Sequence, residues 1–107
     1  MTNFISTGST YWLSDEEIQI LEKNATNGDK NAAFKLYQYH MFVSIDQDLE
    51  FKWLEIAAKN GHPIAQSNLA DLFFTQGNKE NAIFWAKKAY RNGAKLPDEL
   101  KILININ

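Results

Sequence analysis

Small residues (Ala32, Ala57, Ala65, Ala70, Ala82, Ala89) alternate along the chain with large apolar ones at spacings of three and four, the period of a helix. Period-two alternation does not persist over any useful length, so the pattern predicts helices and no strands. The expected helices lie near 14–27, 30–42, 46–60, 63–76, 79–92 and 97–103. Local signals punctuate them. Ser14-Asp15-Glu16-Glu17 reads as a capping box, with Leu13 and Ile18 set to close a hydrophobic staple over it. Asp29, Asp46 and Asn78 are expected N-caps, because their short polar side chains satisfy free amides. Pro63 and Pro97 fit a first helical turn, where a missing N–H costs nothing. Gly28, Gly61 and Gly93 each follow a helical stretch, where the chain must turn left-handed.

Those three glycines also mark a repeat, at separations of 33 and 32 residues. Ala32-Ala33-Phe34-Lys35-Leu36-Tyr37 lies over Ala65-Gln66-Ser67-Asn68-Leu69-Ala70. Trp53-Leu54-Glu55-Ile56-Ala57-Ala58-Lys59-Asn60-Gly61 matches Trp85-Ala86-Lys87-Lys88-Ala89-Tyr90-Arg91-Asn92-Gly93, and Ile20 to Gly28 is a partial earlier copy. The chain divides into a half unit at 14–28, repeats at 29–61 and 62–93, and a C-terminal capping helix at 96–104. Together they form one domain over 1–107.

The run from Gly61 to Ala70, followed by Phe73 and Gly77, resembles the first helix of a Sel1-like repeat. The segments ending Ala57-Ala58-Lys59-Asn60-Gly61 and Trp85-Ala86-Lys87-Lys88-Ala89 resemble its second helix. The likeness covers about residues 20–93. It departs from the pattern after His40, where the glycine-rich loop is missing, and at Glu50, which replaces a small residue. The shortened units approach tetratricopeptide length, about 34 residues. The resemblance implies an all-α fold, a short right-handed solenoid of antiparallel helix hairpins with five to six helices. It also implies binding of other proteins and no catalysis.

The 107 residues are 45% hydrophobic and 22% charged, the composition of one globular domain. With no cysteine, disulfides, thiolate metal sites and a cysteine nucleophile are excluded. The apolar runs are too short to span a bilayer, and the start has neither a basic region nor a sustained apolar one, so the expected location is cytoplasmic. Net charge is −2, but residues 1–55 hold nine acids against four bases and residues 56–107 four acids against seven bases. The halves therefore differ, −5 against +3; such polarity either steers encounters with a charged partner or reflects two solvated helix faces that happen to differ.

Little chemistry is on offer. His40 and His62 lie on different expected helices and share no carboxylate at ligand spacing, so no metal and no cofactor is expected. His40 falls where the repeat carries an aromatic and should be packed; His62 should cap a helix. Asp15, Glu16 and Glu17 suit a helix N-terminus, where acids complement the dipole. Asp46-Gln47-Asp48-Leu49-Glu50 lacks the glycine and the distal glutamate of a calcium loop. Neither a phosphate-binding glycine loop nor a serine elbow is present. Lys87, Lys88, Arg91 and Lys95 would form one stripe on the last long helix, a solvated face rather than a nucleic-acid site.

Trp53, Trp85, Phe73 and Phe84 occupy repeat-core positions and are expected to be packed. Tyr11 and Trp12 precede the first capping box and are expected to cover the end of the stack, with a role as binding anchors the alternative. First helices line the concave side of such stacks, so the expected partner-binding residues are Phe34, Lys35, Gln38 and Phe42 in one unit and Ser67, Asn68, Asp71 and Thr75 in the next. Phe34 and Phe42 would serve as aromatic anchors, or pack on the N-terminal segment instead. Asp46, Asp48 and Glu50 would steer a basic protein partner. The expected function is a non-enzymatic protein-binding module, most concretely a small bacterial immunity protein that neutralises a toxin. The alternative is an adaptor or chaperone holding a peptide in the concave groove.

Overall fold

The computed structural model describes residues 10–106. Among them the chain is all-helical: α1 (Asp15–Thr26), α2 (Lys30–Phe42), α3 (Gln47–Lys59), α4 (Pro63–Thr75), α5 (Lys79–Arg91) and α6 (Asp98–Leu103). Each boundary has a local cause. Ser14 accepts from the Glu17 amide while Glu17 accepts from the Ser14 amide, so two free donors are satisfied reciprocally at the start of α1. Asp29, Asp46 and Asn78 cap α2, α3 and α5. Pro63 opens α4 as expected, but Pro97 stands one residue outside α6, as its N-cap. Its fixed φ there sets the entry of the chain without occupying a helical turn.

Helices adjacent in sequence pack against one another, most extensively α2 with α3 and α4 with α5. Fully buried alanines allow the close approach: Ala33, Ala57, Ala65, Ala70, Ala86 and Ala89 have no exposed surface. Large side chains fill the layers between, with Leu36, Leu69 and Leu100 completely buried. One apolar cluster runs from Ala25 in α1 to Leu100 in α6, so the units share a continuous core.

The repeat pattern and the burial pattern part company in two places. Trp53 and Trp85 are 2% and 9% exposed, but Ile20, eight residues before its glycine as each tryptophan is, is 60% exposed. Phe84 corrects the expectation of a core position: it is 51% exposed. It stands edge-on to Trp85 at 5.1 Å, with the Lys88 ammonium 5.3 Å from its ring. Adjacent residues of a helix point about 100° apart, so once Trp85 takes the core direction Phe84 cannot share it.

The turn between α2 and α3 carries backbone strain. Gly77, just before the Asn78 cap, has φ of +80°; Ile45 stands in the same place before the Asp46 cap, with φ of +52° and 69% exposure. A β-branched residue is out of place in the left-handed region, at a cost of about 1–2 kcal/mol. Ile45→Gly relieves that strain, partly offset by about 0.5–1 kcal/mol from the greater freedom of glycine in the unfolded chain. A net stabilisation of about 0.5–1 kcal/mol by urea denaturation is the expected result. A loss of stability would mean that the Ile45 side chain holds the turn through its contacts.

Candidate functional site

Three neighbouring hollows follow α4, bordered by α2, α3 and the segment before α6. The largest, about 620 Å³, is walled by Pro63, Ile64 and Ser67 of α4 and by Ala94, Lys95 and Pro97 of the α5–α6 connection. Asn68 and Asp71 lie on its boundary and pass into a second hollow of about 310 Å³. Tyr37, Glu50 and Thr75 supply the polar lining of that second hollow, Leu54 and Leu72 the apolar part. Glu50, Leu54 and Leu72 also border a third, of about 320 Å³, towards Gln47, Phe51 and Gln76. Because neighbouring hollows share residues, the three make one groove.

The groove brings together five of the expected partner-binding residues, Glu50, Ser67, Asn68, Asp71 and Thr75. Its helices explain why: Asn68, Asp71 and Thr75 follow at spacings of three and four along one face of α4. Asn68 donates to the Tyr37 hydroxyl at 3.3 Å, tying α4 to α2 across the floor. Burial pushes the Tyr37 phenol up, with the nearby Glu50 carboxylate adding to the shift and the Asn68 bond opposing it. Among the described residues, the one ion pair within 4 Å joins Lys59 to Glu55, so neither Glu50 nor Asp71 is in one, although Lys95 lines the 620 Å³ hollow together with Asp71.

The other expected residues stand apart from it. Phe34 is stacked on His62 at 4.0 Å and leans on Tyr37, so its ring joins α2 to the start of α4. Phe42 is stacked on Tyr11 at 4.5 Å, the alternative in which it packs on the N-terminal segment. Lys35 and Gln38 share a separate hollow with Tyr11, Trp12 and Leu13. Tyr11 covers α2 as expected of an end cap, whereas Trp12 is 59% exposed. Asp46 is occupied with capping α3 through the Leu49 amide, and Asp48 is exposed beside Ile45. The supposed basic stripe is also broken: Lys95 lies outside α5, on the rim of the largest hollow. The sequence reading overlooked Tyr37, Leu54, Ile64 and Lys95. Register gave no signal for Tyr37, which it pairs with the buried Ala70.

No family model matches the chain, and no solved structure gives a significant match. The chain is similar to the uncharacterized protein YibG of Escherichia coli (strain K12). The two are 36% identical over 95 residues, which cover 82% of this chain and 62% of that protein. The chain thus spans less than two thirds of that relative.

The two histidines have settled structural roles. The His62 Nδ1 accepts from the Ala65 amide at 3.3 Å, capping α4. The His40 ring is 6% exposed, bonds Ser44 through Nδ1 at 2.7 Å, and leaves its buried Nε2 without a hydrogen-bond partner. Among the described residues no three His, Asp or Glu side chains are grouped to hold a metal ion, and no helix is long and apolar enough to cross a membrane.

Burial lowers the pKa of both imidazoles below 6.5; Lys30 adds to the effect at His62, while Asp46 and Glu22 oppose it at His40. The unfolded chain therefore binds more protons than the folded one as pH falls below 6.5. The histidine contribution is fully present above that pH and is lost on acidification towards the folded pKa values. Protonation of His62 also removes the lone pair that caps α4. Urea denaturation is expected to give lower stability at pH 5.5 than at pH 7.5, with His62→Asn, which keeps a capping acceptor, flattening the dependence. An unchanged slope in both His62→Asn and His40→Gln would exclude the histidines as its source.

Proposed function

We propose that this chain is a non-enzymatic protein-binding module: a short right-handed solenoid of Sel1-like or tetratricopeptide-like hairpins, with the repeat boundaries at 28, 61 and 93 and the groove on its concave side. The observation that carries the reading is the groove itself, three adjoining hollows with two carboxylates outside any ion pair among the described residues, lined by successive helices. The elongated shape agrees with a stack. Its extents are 48 × 33 × 23 Å and its radius of gyration 15.0 Å, against about 13 Å for a compact domain of this length.

The narrower reading is a small cytoplasmic immunity protein that occludes a basic toxin, for which the −5 balance of residues 1–55 would accelerate encounter. The second reading, an adaptor or chaperone for peptides, is favoured by hollows of side-chain size. Cross-linking in the native cell followed by mass spectrometry separates them. One dominant basic protein supports the immunity reading, and a set of unrelated proteins supports the adaptor. No cross-linked protein at all would overturn the module reading.

A further inference from the structure

The hollow between the two repeats has a composition that specifies its ligand. Glu50 comes from α3 and Asp71 from α4, so two carboxylates from different units meet at one depression of about 310 Å³. No lysine, arginine or histidine lines it, and neither carboxylate is in an ion pair among the described residues. Around them stand neutral groups that hydrogen-bond a cation's N–H donors: the Tyr37 and Thr75 hydroxyls and the Asn68 carboxamide. Leu54 and Leu72 complete the wall, a surface for the methylene stem of a long basic side chain.

A second observation points to a ligand next door. Ser67 is 8% exposed, lines the 620 Å³ hollow, and its hydroxyl makes no hydrogen bond among the described residues. Its oxygen is open to that hollow, where a donor and lone pairs are free for a ligand's peptide group. Pro63, Ile64, Ala94 and Pro97 give that hollow an apolar side, opposite the polar His62 and Lys95, and Ile64 is 54% exposed. An apolar side chain fits there. Both hollows share Asn68 and Asp71, so one short segment reaches both.

Resting on the module reading above, we infer that the groove binds an extended segment of a protein partner, with an arginine or lysine side chain between Glu50 and Asp71 and a neighbouring apolar side chain against Ile64 and Pro97. Side chains two apart on a strand share a face about 7 Å apart, the reach of adjoining hollows. The basic residue gives selectivity and encounter rate, and the apolar one retention. The binding centre is the junction of the two repeats, not the acids of the α2–α3 turn.

The test uses the full chain and a phage-displayed library of random dodecapeptides. Selected sequences should carry arginine or lysine within two positions of a large apolar residue. A synthetic selected peptide should bind the Glu50→Gln/Asp71→Asn double variant about tenfold or more weakly, since charge-assisted pairs at a partly shielded site carry at least that much. It should bind Asp48→Asn as it binds the native chain. Its amide shift changes should centre on residues 62–72 and 93–97. No enrichment, enrichment of acidic peptides, or equal affinity for the double variant would overturn the inference. If a protein cross-linked in the cell binds the native chain and the double variant equally, the groove assignment fails while the module reading stands.

Discussion

Trp53→Ala should lower the free energy of unfolding by about 3–5 kcal/mol, the range for emptying a large aromatic site in a core. The ring is 2% exposed and packs in the layer with Leu54, Ala57 and Ala58 of its own helix and the cluster beyond. Backbone atoms already in contact through alanines cannot close further, so the cavity stays open. A domain of this size has only about 5–15 kcal/mol in all, so the loss is a large fraction of the total. Lys52 stacks its ammonium 4.7 Å from the ring and loses that contact too. Trp53→Phe should cost much less, because the indole N–H is buried without a partner and phenylalanine has none to satisfy. Ile20→Ala is the internal comparison: it holds the same repeat position, yet at 60% exposure should change stability by less than about 1 kcal/mol. Equal losses at Trp53 and Ile20 in urea denaturation would refute this account of the packing.

The second large effect belongs to Gln66, a polar residue with 2% exposure. Its Nε2 donates to the Ala58 carbonyl at 3.0 Å, near the end of α3, and its Oε1 accepts from the Asn92 side chain at 2.9 Å, just past α5. One carboxamide thus joins three helices. Gln66→Ala removes both bonds at about 1 kcal/mol each and leaves a void, for an expected loss of about 2–4 kcal/mol. In a double-mutant cycle with Asn92→Ala the coupling should be about 0.5–1.5 kcal/mol. Additive effects would mean that the Gln66–Asn92 bond contributes nothing. Loss of this clamp should also weaken groove binding, since Gln66 precedes Ser67, Asn68 and Asp71 on α4.

The helices and most of their caps were legible in the chain because their causes are local. An apolar period of 3.6 residues, a Ser-to-Glu box and a glycine after each second helix act within a turn or two of backbone. The strain at Ile45 was half legible, as a missing glycine. The site was read less well. Listing first-helix residues by register named Ser67, Asn68, Asp71 and Thr75, which border the groove with Glu50, but grouped with them Phe34 and Phe42, whose rings are taken by His62 and Tyr11. Each of those stacking partners lies on another element, and register along one helix carries no information about it.

By itself, then, the sequence determined which stretches are helical and most of the caps that bound them, because those depend on contacts between near neighbours in the chain. The tertiary structure decided which large apolar positions are buried: Trp85 but not Phe84, Trp53 but not Ile20. It also decided that Glu50 and Asp71, 21 residues apart, border one hollow, and that Gln66 joins three helices. Those outcomes depend on how helices approach across the core, and long-range approach is settled by the sum of many packing contacts rather than by any local signal.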